Sequence, residues 1–286
     1  MYTRVSKMNT AEIKQKLGEP YFETENCLIY NDDSLKLMKK FDDNTVDMTV
    51  TSPPYNIGKE YETLLPIDDY LNWCEKWINE IYRITKMNGT FWLNLGYLEM
   101  PNKAKALPIP YLLWERNPFY FIQEIVWNYG AGVSAKKFFA PRNEKLLWYV
   151  KDKDNYTFNL DDIRDKNVKY PNQKKKGRLR CNPLGKNPTD VWQIPKVTSG
   201  ANRSSKERTP HPAQFPSALI DRLVKGSSNE NDLIIDPFLG SGTSAIVAMA
   251  NKRQFVGIEI EQKYCEITKR RIKDFLDTPK SLKLFE

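Results

Sequence analysis

The chain has 286 residues, enough for one α/β domain with a sizeable insert, and carries a formal net charge of +8 with four cysteines and one histidine. A single histidine, His211, and no C-x-x-C pair argue against a zinc site and a Ser-His-Asp triad. No apolar run approaches a membrane span, MYTRVSKMNTAEIKQKLGEP lacks an apolar signal core, and the cysteines are unpatterned; the expectation is a cytoplasmic, disulfide-free protein.

In chain order, CLIYNDD reads as a short strand ending in acids and SLKLMKKF as a helix, and TVDMTVT is a strand that runs into SPPYNIGKEY. The paired prolines of that motif fix φ at successive positions and remove two backbone donors, so acceptors beside Tyr55 are held without a local amide competing for them. The stretch IDDYLNWCEKWINEIYRIT places Tyr70, Leu71, Cys74, Trp77, Ile78, Ile81 and Ile84 at helical intervals, with Asp68 or Asp69 near its start. A turn at KMNG and a strand TFWLNLG follow. FIQEIVWN and EKLLWYVKD read as strands flanking a glycine-dotted loop, YGAGVSAKKFFAPRN, whose length suggests function more than linkage.

From about Asn155 to Arg208 the apolar periodicity fails, which predicts an insert rather than a continuation of the sheet. Between Arg164 and Arg208 stand 13 Lys and Arg against 3 Asp and Glu, a local charge of +10 that leaves −2 for the remaining residues. Such density on a near-neutral chain is the footprint of a partner with a phosphate backbone; a solvated loop would have a similar composition. Order returns at HPAQFPSALIDRLVKGSS, a proline-delimited helix, and at DLIIDPFLGSGTSAIVAMANKRQFVGIEIEQKYCEITKRRI, read as strand, glycine loop, helix, strand and helix.

The strand LIID ends at Asp236, the loop supplies Gly240 and Gly242, and a helix begins near Thr243, which is the outline of a nucleotide-binding turn. The loop lacks the Lys-Ser/Thr of a phosphate cradle, and the acid that opens it suits an ammonium better than a pyrophosphate. Glu259 follows Asp236 by twenty-three residues, about where a dinucleotide fold places its ribose-binding acid. An adenosine carrying an amino acid, S-adenosylmethionine, fits both; a purely structural turn and a nicotinamide cofactor are the alternatives.

Taken together, TSPPY, DPFLGSGT and GIEIEQKY resemble the amino-group DNA methyltransferases of bacterial restriction-modification systems, in the motif order of their beta class. NGTFWLNLG, EIVWN, RNEKLLWYVK and HPAQFPSALIDRL are also similar to that family's intervening motifs, so the resemblance covers nearly the whole chain. It implies a Rossmann-like α/β methyltransferase sheet, mostly parallel with one antiparallel strand and circularly permuted, with a basic target-recognition insert. The implied organisation is a catalytic half over 1–154, the insert over 155–208 and a cofactor-binding half over 209–286.

By that resemblance Ser52, Pro53, Pro54 and Tyr55 form the catalytic loop. Asp236, Pro237, Phe238, Gly240, Ser241, Gly242 and Thr243 lie along the methionine half of the cofactor, with Glu259 on its ribose. Asp33 matches an acid near the adenine, although it equally suits the N-cap of SLKLMKKF, and His211 matches a segment closing over the methionine, although it equally suits packing or a helix cap. Lys169, Lys174, Lys175, Lys176, Arg178 and Arg180 are candidate phosphate contacts; Arg203, Arg208, Asn202 and Gln193 have the chemistry for base edges or phosphates.

An exocyclic amine is a poor nucleophile because its lone pair is delocalised. Acceptors at Ser52 Oγ and the Pro53 carbonyl would hold its hydrogens and turn the lone pair toward the methyl group. Ring-carbon methylation would need a Pro-Cys nucleophile, which the chain lacks. The base must leave the duplex at a cost of a few kcal/mol, against which stacking on Tyr55 offers roughly 1–3 kcal/mol. Tyr55 also suits a strand-end core position. In the family, SPPY goes chiefly with N4-cytosine and DPPY with N6-adenine, so cytosine is expected and adenine is the alternative. Remoter readings are methylation of RNA or a protein amide and a catalytically silent DNA-binding protein. The expected partner is double-stranded DNA; a cognate restriction endonuclease acting on the same site and a homodimer are left open, and no membrane is expected.

Overall fold

The computed structural model describes residues 10–132, 134–197 and 207–278. Asn202 and Arg203 lie outside the described residues. Helix α1 (Thr10–Leu17) and strands β1 (Phe22–Thr24) and β2 (Cys27–Asn31) lead to α2 (Ser34–Met38) and β3 (Val46–Thr51), then to α3 (Ile67–Ile84) and β4 (Thr85–Leu95). A small hairpin, β5 (Tyr97–Met100) and β6 (Ala104–Pro108), and the short α4 (Pro110–Leu113) precede β7 (Tyr120–Asn128) and β8 (Asn143–Val150). A second hairpin, β9 (Lys174–Lys175) and β10 (Arg178–Leu179), is followed by β11 (Val191–Gln193) and α5 (Ser217–Ser227). The chain then forms β12 (Leu233–Asp236), α6 (Thr243–Ala250), β13 (Gln254–Glu259) and α7 (Gln262–Asp277).

Nine strands form one sheet in the order β1-β2-β13-β12-β3-β4-β8-β7-β11. Its central strands are buried on both faces, and their side chains alternate between two cores as a period of two requires. Leu28, Tyr30, Leu233, Ile235, Leu147 and Tyr149 join the core under α3, whereas Cys27, Ile29, Ile234, Leu146, Trp148 and Val150 join the one under α5, α6 and α7. The apolar face of α3 is the one its spacing predicts: Tyr70, Leu71, Cys74, Trp77, Ile78, Ile81 and Ile84 are all buried.

Three expectations are corrected. Two strands rather than one run against the rest: β8, which pairs antiparallel with both β4 and β7, and the edge strand β1. The residues KMNG do not turn the chain. They sit inside β4 as an irregularity, where the ladder jumps from Val46–Thr85 to Met48–Thr90 and Lys86 pairs with Asp47 at 2.8 Å. Finally, 155–208 is not wholly outside the sheet, because Val191–Gln193 pairs in parallel with Val126–Asn128 at the edge. With only three residues, β11 is too short to show an alternating pattern. Trp192 is buried, with its indole N–H donated to the Thr189 carbonyl at 2.6 Å.

The lysine cluster itself is a two-residue hairpin. Lys176 (φ 50°) and Gly177 (φ 77°) both have left-handed backbones, as a type I′ turn demands. Among the described residues no helix is long and apolar enough to cross a membrane.

Candidate active site

Strands β2, β13, β12, β3 and β4 are mutually parallel, so their carboxyl ends share one edge of the sheet. A cavity of about 560 Å³ opens there, lined by Asp33, Ser52 to Tyr55, Asn94, His211, Asp236 to Ser241, Thr243 and Glu259, among others. The two sequence motifs are far apart in the chain but adjacent in space, because β12 pairs directly with β3.

At the wall formed by the ends of β12 and β13, buried Asp236 accepts hydrogen bonds from Thr51 Oγ (2.7 Å) and the Phe238 amide (3.1 Å) on Oδ1 and from Ser244 Oγ (2.6 Å) on Oδ2. Burial raises its carboxyl from 3.8 to about 6, against the lowering effect of these donors. A carboxylate has about four lone-pair sites, so one on Oδ2 is left for a further donor. Glu259 accepts from the Gly240 amide on Oε2 and the Glu261 amide on Oε1, each at 2.8 Å, and burial raises its carboxyl too.

Gly240 and Gly242 have φ of +55° and +75°, and each is a place of close approach. A Cβ on Gly240 would stand 2.9 Å from the His211 ring, and one on Gly242 would stand 2.5 Å from Thr268 Oγ1. Behind the loop, Arg271 donates to the Ser241 carbonyl (2.6 Å) and Thr243 Oγ1 (3.0 Å). In front, Phe238 packs against Trp73 and Trp77 at 5.5 Å each, and Pro237 is buried on the same wall.

His211 is buried between Tyr61, stacked at 5.9 Å, and Tyr264, edge-on at 4.3 Å. Burial lowers its pKa to about 4, so it is neutral at pH 7. Nδ1 accepts from the Ala213 amide at 3.2 Å, so Nε2 carries the proton on the side of Gly240. His211 therefore both packs locally and reaches the glycine loop. Asp33 caps α2, its Oδ1 accepting from the Lys36 amide at 2.8 Å, and it also lines the cavity.

At the other wall, Ser52 and Tyr55 belong to a hydrogen-bond chain whose direction is fixed. Asn94 donates from Nδ2 to the Lys145 carbonyl at 3.0 Å, which turns its Oδ1 to accept the Tyr55 hydroxyl at 2.9 Å. Tyr55 has then spent its one proton, so the 2.9 Å contact with Ser52 is a donation from Ser52 Oγ to Tyr55. The lone pairs of Ser52 are left for an incoming donor. Packing holds the Tyr55 hydroxyl well above its ordinary pKa, so it remains a neutral phenol, and its ring lies so close to Gly96 that a Cβ there would be 2.9 Å from it. Glu62 fixes the loop by accepting from the amides of Tyr55, Ile57 and Gly58 at 2.9, 2.7 and 3.0 Å. The Pro54 carbonyl accepts from Tyr70 at 2.8 Å, whereas that of Pro53 accepts no hydrogen bond among the described residues.

Asn94, Glu62, Thr51 and Ser244 were not singled out in the sequence. Asn94 left a signal, a lone amide inside the apolar strand TFWLNL; Glu62 left none, being one acid in a polar loop. Of the basic residues, Lys169, Lys174, Lys175, Lys176, Arg178 and Arg180 are all exposed, as are Arg208 and Gln193. Lys175 stands opposite Arg178 in the β9–β10 register. None of these lines the cavity.

A parallel sheet with a glycine loop after one strand, an acid at the end of the next and an acceptor loop beside them defines a Rossmann-like methyltransferase of the S-adenosylmethionine-dependent kind. A family model described as DNA methylase matches residues 46–270, and the chain belongs to that family of N6- and N4-amino methyltransferases. It is 61% identical over 262 residues, 92% of this chain and 86% of the other, to the Type II methyltransferase M.ScaI of Streptomyces caespitosus. It is 35% identical to the DNA adenine methyltransferase YhdJ of Escherichia coli (strain K12) over 88% of this chain and 84% of that one. Among solved structures, the fold matches the cytosine-N4-specific PvuII DNA methyltransferase with a TM-score of 0.69 at 19% identity, covering 93% of this chain and 91% of that one. It matches the M1.HpyAVI–SAM complex with a TM-score of 0.58 at 25% identity, covering 86% and 98%. The protein is thus an amino-group DNA methyltransferase of restriction-modification type, with S-adenosylmethionine as cofactor.

Proposed function

We propose that the protein transfers a methyl group to the N4 amine of a cytosine extruded from duplex DNA at a specific site. The observation that carries this reading is the direction of the Ser52–Tyr55–Asn94 chain, which presents Ser52 Oγ as an acceptor. Ser52 Oγ and the Pro53 carbonyl each hold one amine hydrogen, which favours a tetrahedral nitrogen with its lone pair directed at the methyl group. Pro54 sets the backbone of that acceptor pair, and the Tyr55 ring, seated on Gly96, stacks on the base. The cytosine assignment rests on serine as the first residue of the motif; the similarity to an adenine methyltransferase supports N6-adenine as the second reading.

S-adenosylmethionine supplies the methyl group. The open position on Asp236 receives an ammonium, and Glu259 receives ribose hydroxyls. Gly240, Ser241 and Thr243 and the rings of Phe238 and His211 border the methionine half, with Pro237 shaping the turn, Gly242 letting the loop pack closely on Thr268 behind it, and Asp33 facing the adenine end. DNA is held by Lys169, Lys174, Lys175, Lys176, Arg178, Arg180 and Arg208. Directly opposed like charges destabilise a hairpin by themselves, so Lys175 facing Arg178 is a place where a phosphate relieves repulsion. A cytoplasmic location belongs to the same reading, and a cognate restriction endonuclease and a homodimer are compatible with it.

The test is nucleoside mass spectrometry of DNA incubated with the protein and S-adenosylmethionine. N4-methylcytosine is expected. N6-methyladenine would replace the first reading by the second, and no methylated base would remove both.

A pH dependence follows from Asp236. Its carboxyl titrates at about 6, so cofactor affinity is expected to be flat above about pH 7 and to fall toward tenfold per unit below about pH 6 as the charge is lost. Stability of the cofactor-free protein should move the other way. A folded-state pKa above the unfolded value means that the folded state binds the proton more tightly, so this group favours folding as pH falls from about 6 to about 4. Calorimetric titration and thermal melts across pH 5 to 8 would show both trends; an affinity that does not change with pH would separate Asp236 from the ammonium.

A further inference from the structure

We infer that Phe139 is a wedge that enters duplex DNA and occupies the space left when the target base is extruded; the inference rests on the proposed duplex substrate. The residue lies in the loop between β7 and β8. Because β8 is antiparallel to both β4 and β7, β7 points the same way as β4, and this loop leaves the sheet at the edge where the cavity opens. Tyr129 at its start and Pro141 and Asn143 at its end line the cavity. Two residues of chain span at most roughly 7 Å, so the Phe139 backbone is within that distance of the cavity wall at Pro141.

Phe139 is 100% exposed and Phe138 is 51% exposed. Burying such a side chain is favourable, so the free protein leaves that stabilisation unused at the rim of its site. The residues just before are Lys136 and Lys137, both exposed. An aromatic tip behind two ammonium groups suits a polyanion with an apolar interior, where the lysines take phosphates and the ring takes a stacked position between bases. A protein partner would have to set an acidic patch beside an apolar pocket, whereas duplex DNA presents phosphates beside stacked bases along its whole length. The glycines of the same loop, Gly130 (φ 69°) and Gly132 (φ 156°), allow the sharp path that carries the tip outward.

Extrusion opens a gap one base thick, and an inserted ring restores stacking on both sides of it. The wedge is therefore needed only while the target base is paired. Once mapped from methylated DNA, the site is placed in two duplexes, one fully paired and one with the target base mispaired. Phe139→Ala is expected to lower kcat/KM at least tenfold on the paired duplex and to come within about threefold of the unsubstituted protein on the mispaired one. Binding of S-adenosylmethionine should not change, and Phe139→Trp should retain activity on both duplexes. A side chain with no buried contacts can be removed without unfolding the protein, so the comparison reads function. Full activity of Phe139→Ala on the paired duplex would overturn the wedge while leaving the methyltransferase reading intact. Equal slowing on both duplexes would also overturn it, making Phe139 a general contact. Full activity together with loss of a sedimenting dimer would assign the ring to a second copy of the chain. Failure of the unsubstituted protein to methylate any DNA at the mapping step would overturn the DNA reading and the wedge with it.

Discussion

Replacing Ser52 with alanine is expected to lower the rate of methyl transfer about 10²- to 10³-fold, the usual cost of removing one preorganised polar group aimed at a reacting centre. Cofactor affinity should stay within about twofold, because no bond from Ser52 reaches Asp236, Glu259 or the glycine loop; its partner is Tyr55. Thermal stability should change little, since Ser52 is only partly buried and Tyr55 keeps its bond to Asn94. Tyr55→Phe separates ring from hydroxyl. It keeps the stacking surface but frees the Ser52 proton to point elsewhere, and the loss of about one hydrogen bond predicts roughly a tenfold slower reaction. Tyr55→Ala removes both and should be slower than Tyr55→Phe, again with cofactor binding retained. Single-turnover rates and calorimetric titration on the same preparations check these expectations. If Ser52→Ala weakens cofactor binding as much as it slows transfer, the assignment of Ser52 to the amine is wrong.

The second large effect is expected at Asp236. Asp236→Asn removes the charge while keeping an acceptor for Thr51 and Phe238, so the fold around β12 should survive. A hydrogen bond to a charged group is worth about 1.5–3 kcal/mol, which predicts cofactor binding about 10- to 100-fold weaker. At saturating cofactor the transfer rate should recover most of its value, which is the reverse of the Ser52 pattern. Asp236→Ala should be worse on two counts, because it also leaves the buried Ser244 and Thr51 hydroxyls without their acceptor. A Asp236→Asn protein that binds S-adenosylmethionine normally would show that the carboxylate serves only to brace the loop. Titration calorimetry and melting temperature distinguish the two.

The outline of this fold was legible because it is written in local patterns. The buried face of α3, the strands β2, β3, β7, β8, β12 and β13, and the glycine loop each follow from spacing within a few residues. What was missed has particular causes. Strand β11 is three residues long and joins the sheet only through its pairing with β7, and the bulge at KMNG has the composition of a turn although its flanks continue one strand. The sequence left Asp33 and His211 open between a local role and a ligand contact, and the structure shows the local role for each, on the Lys36 amide and the Ala213 amide, together with a place on the cavity wall.

By itself the sequence determined which groups are present: a serine before two prolines and a tyrosine, an acid at each of two strand ends, a pair of glycines between them and a cationic insert. Only the tertiary structure decided what state those groups are in. That the Ser52 lone pairs are left open depends on Asn94, 39 residues beyond Tyr55, and on the Lys145 carbonyl beyond that; the bracing of Asp236 depends on Thr51, 185 residues away. The neutrality of His211 depends on burial between Tyr61 and Tyr264. The reason is physical. A residue's type fixes how many protons and lone pairs it carries, but their direction and charge are set by desolvation and by whichever partners the fold brings within about 3 Å.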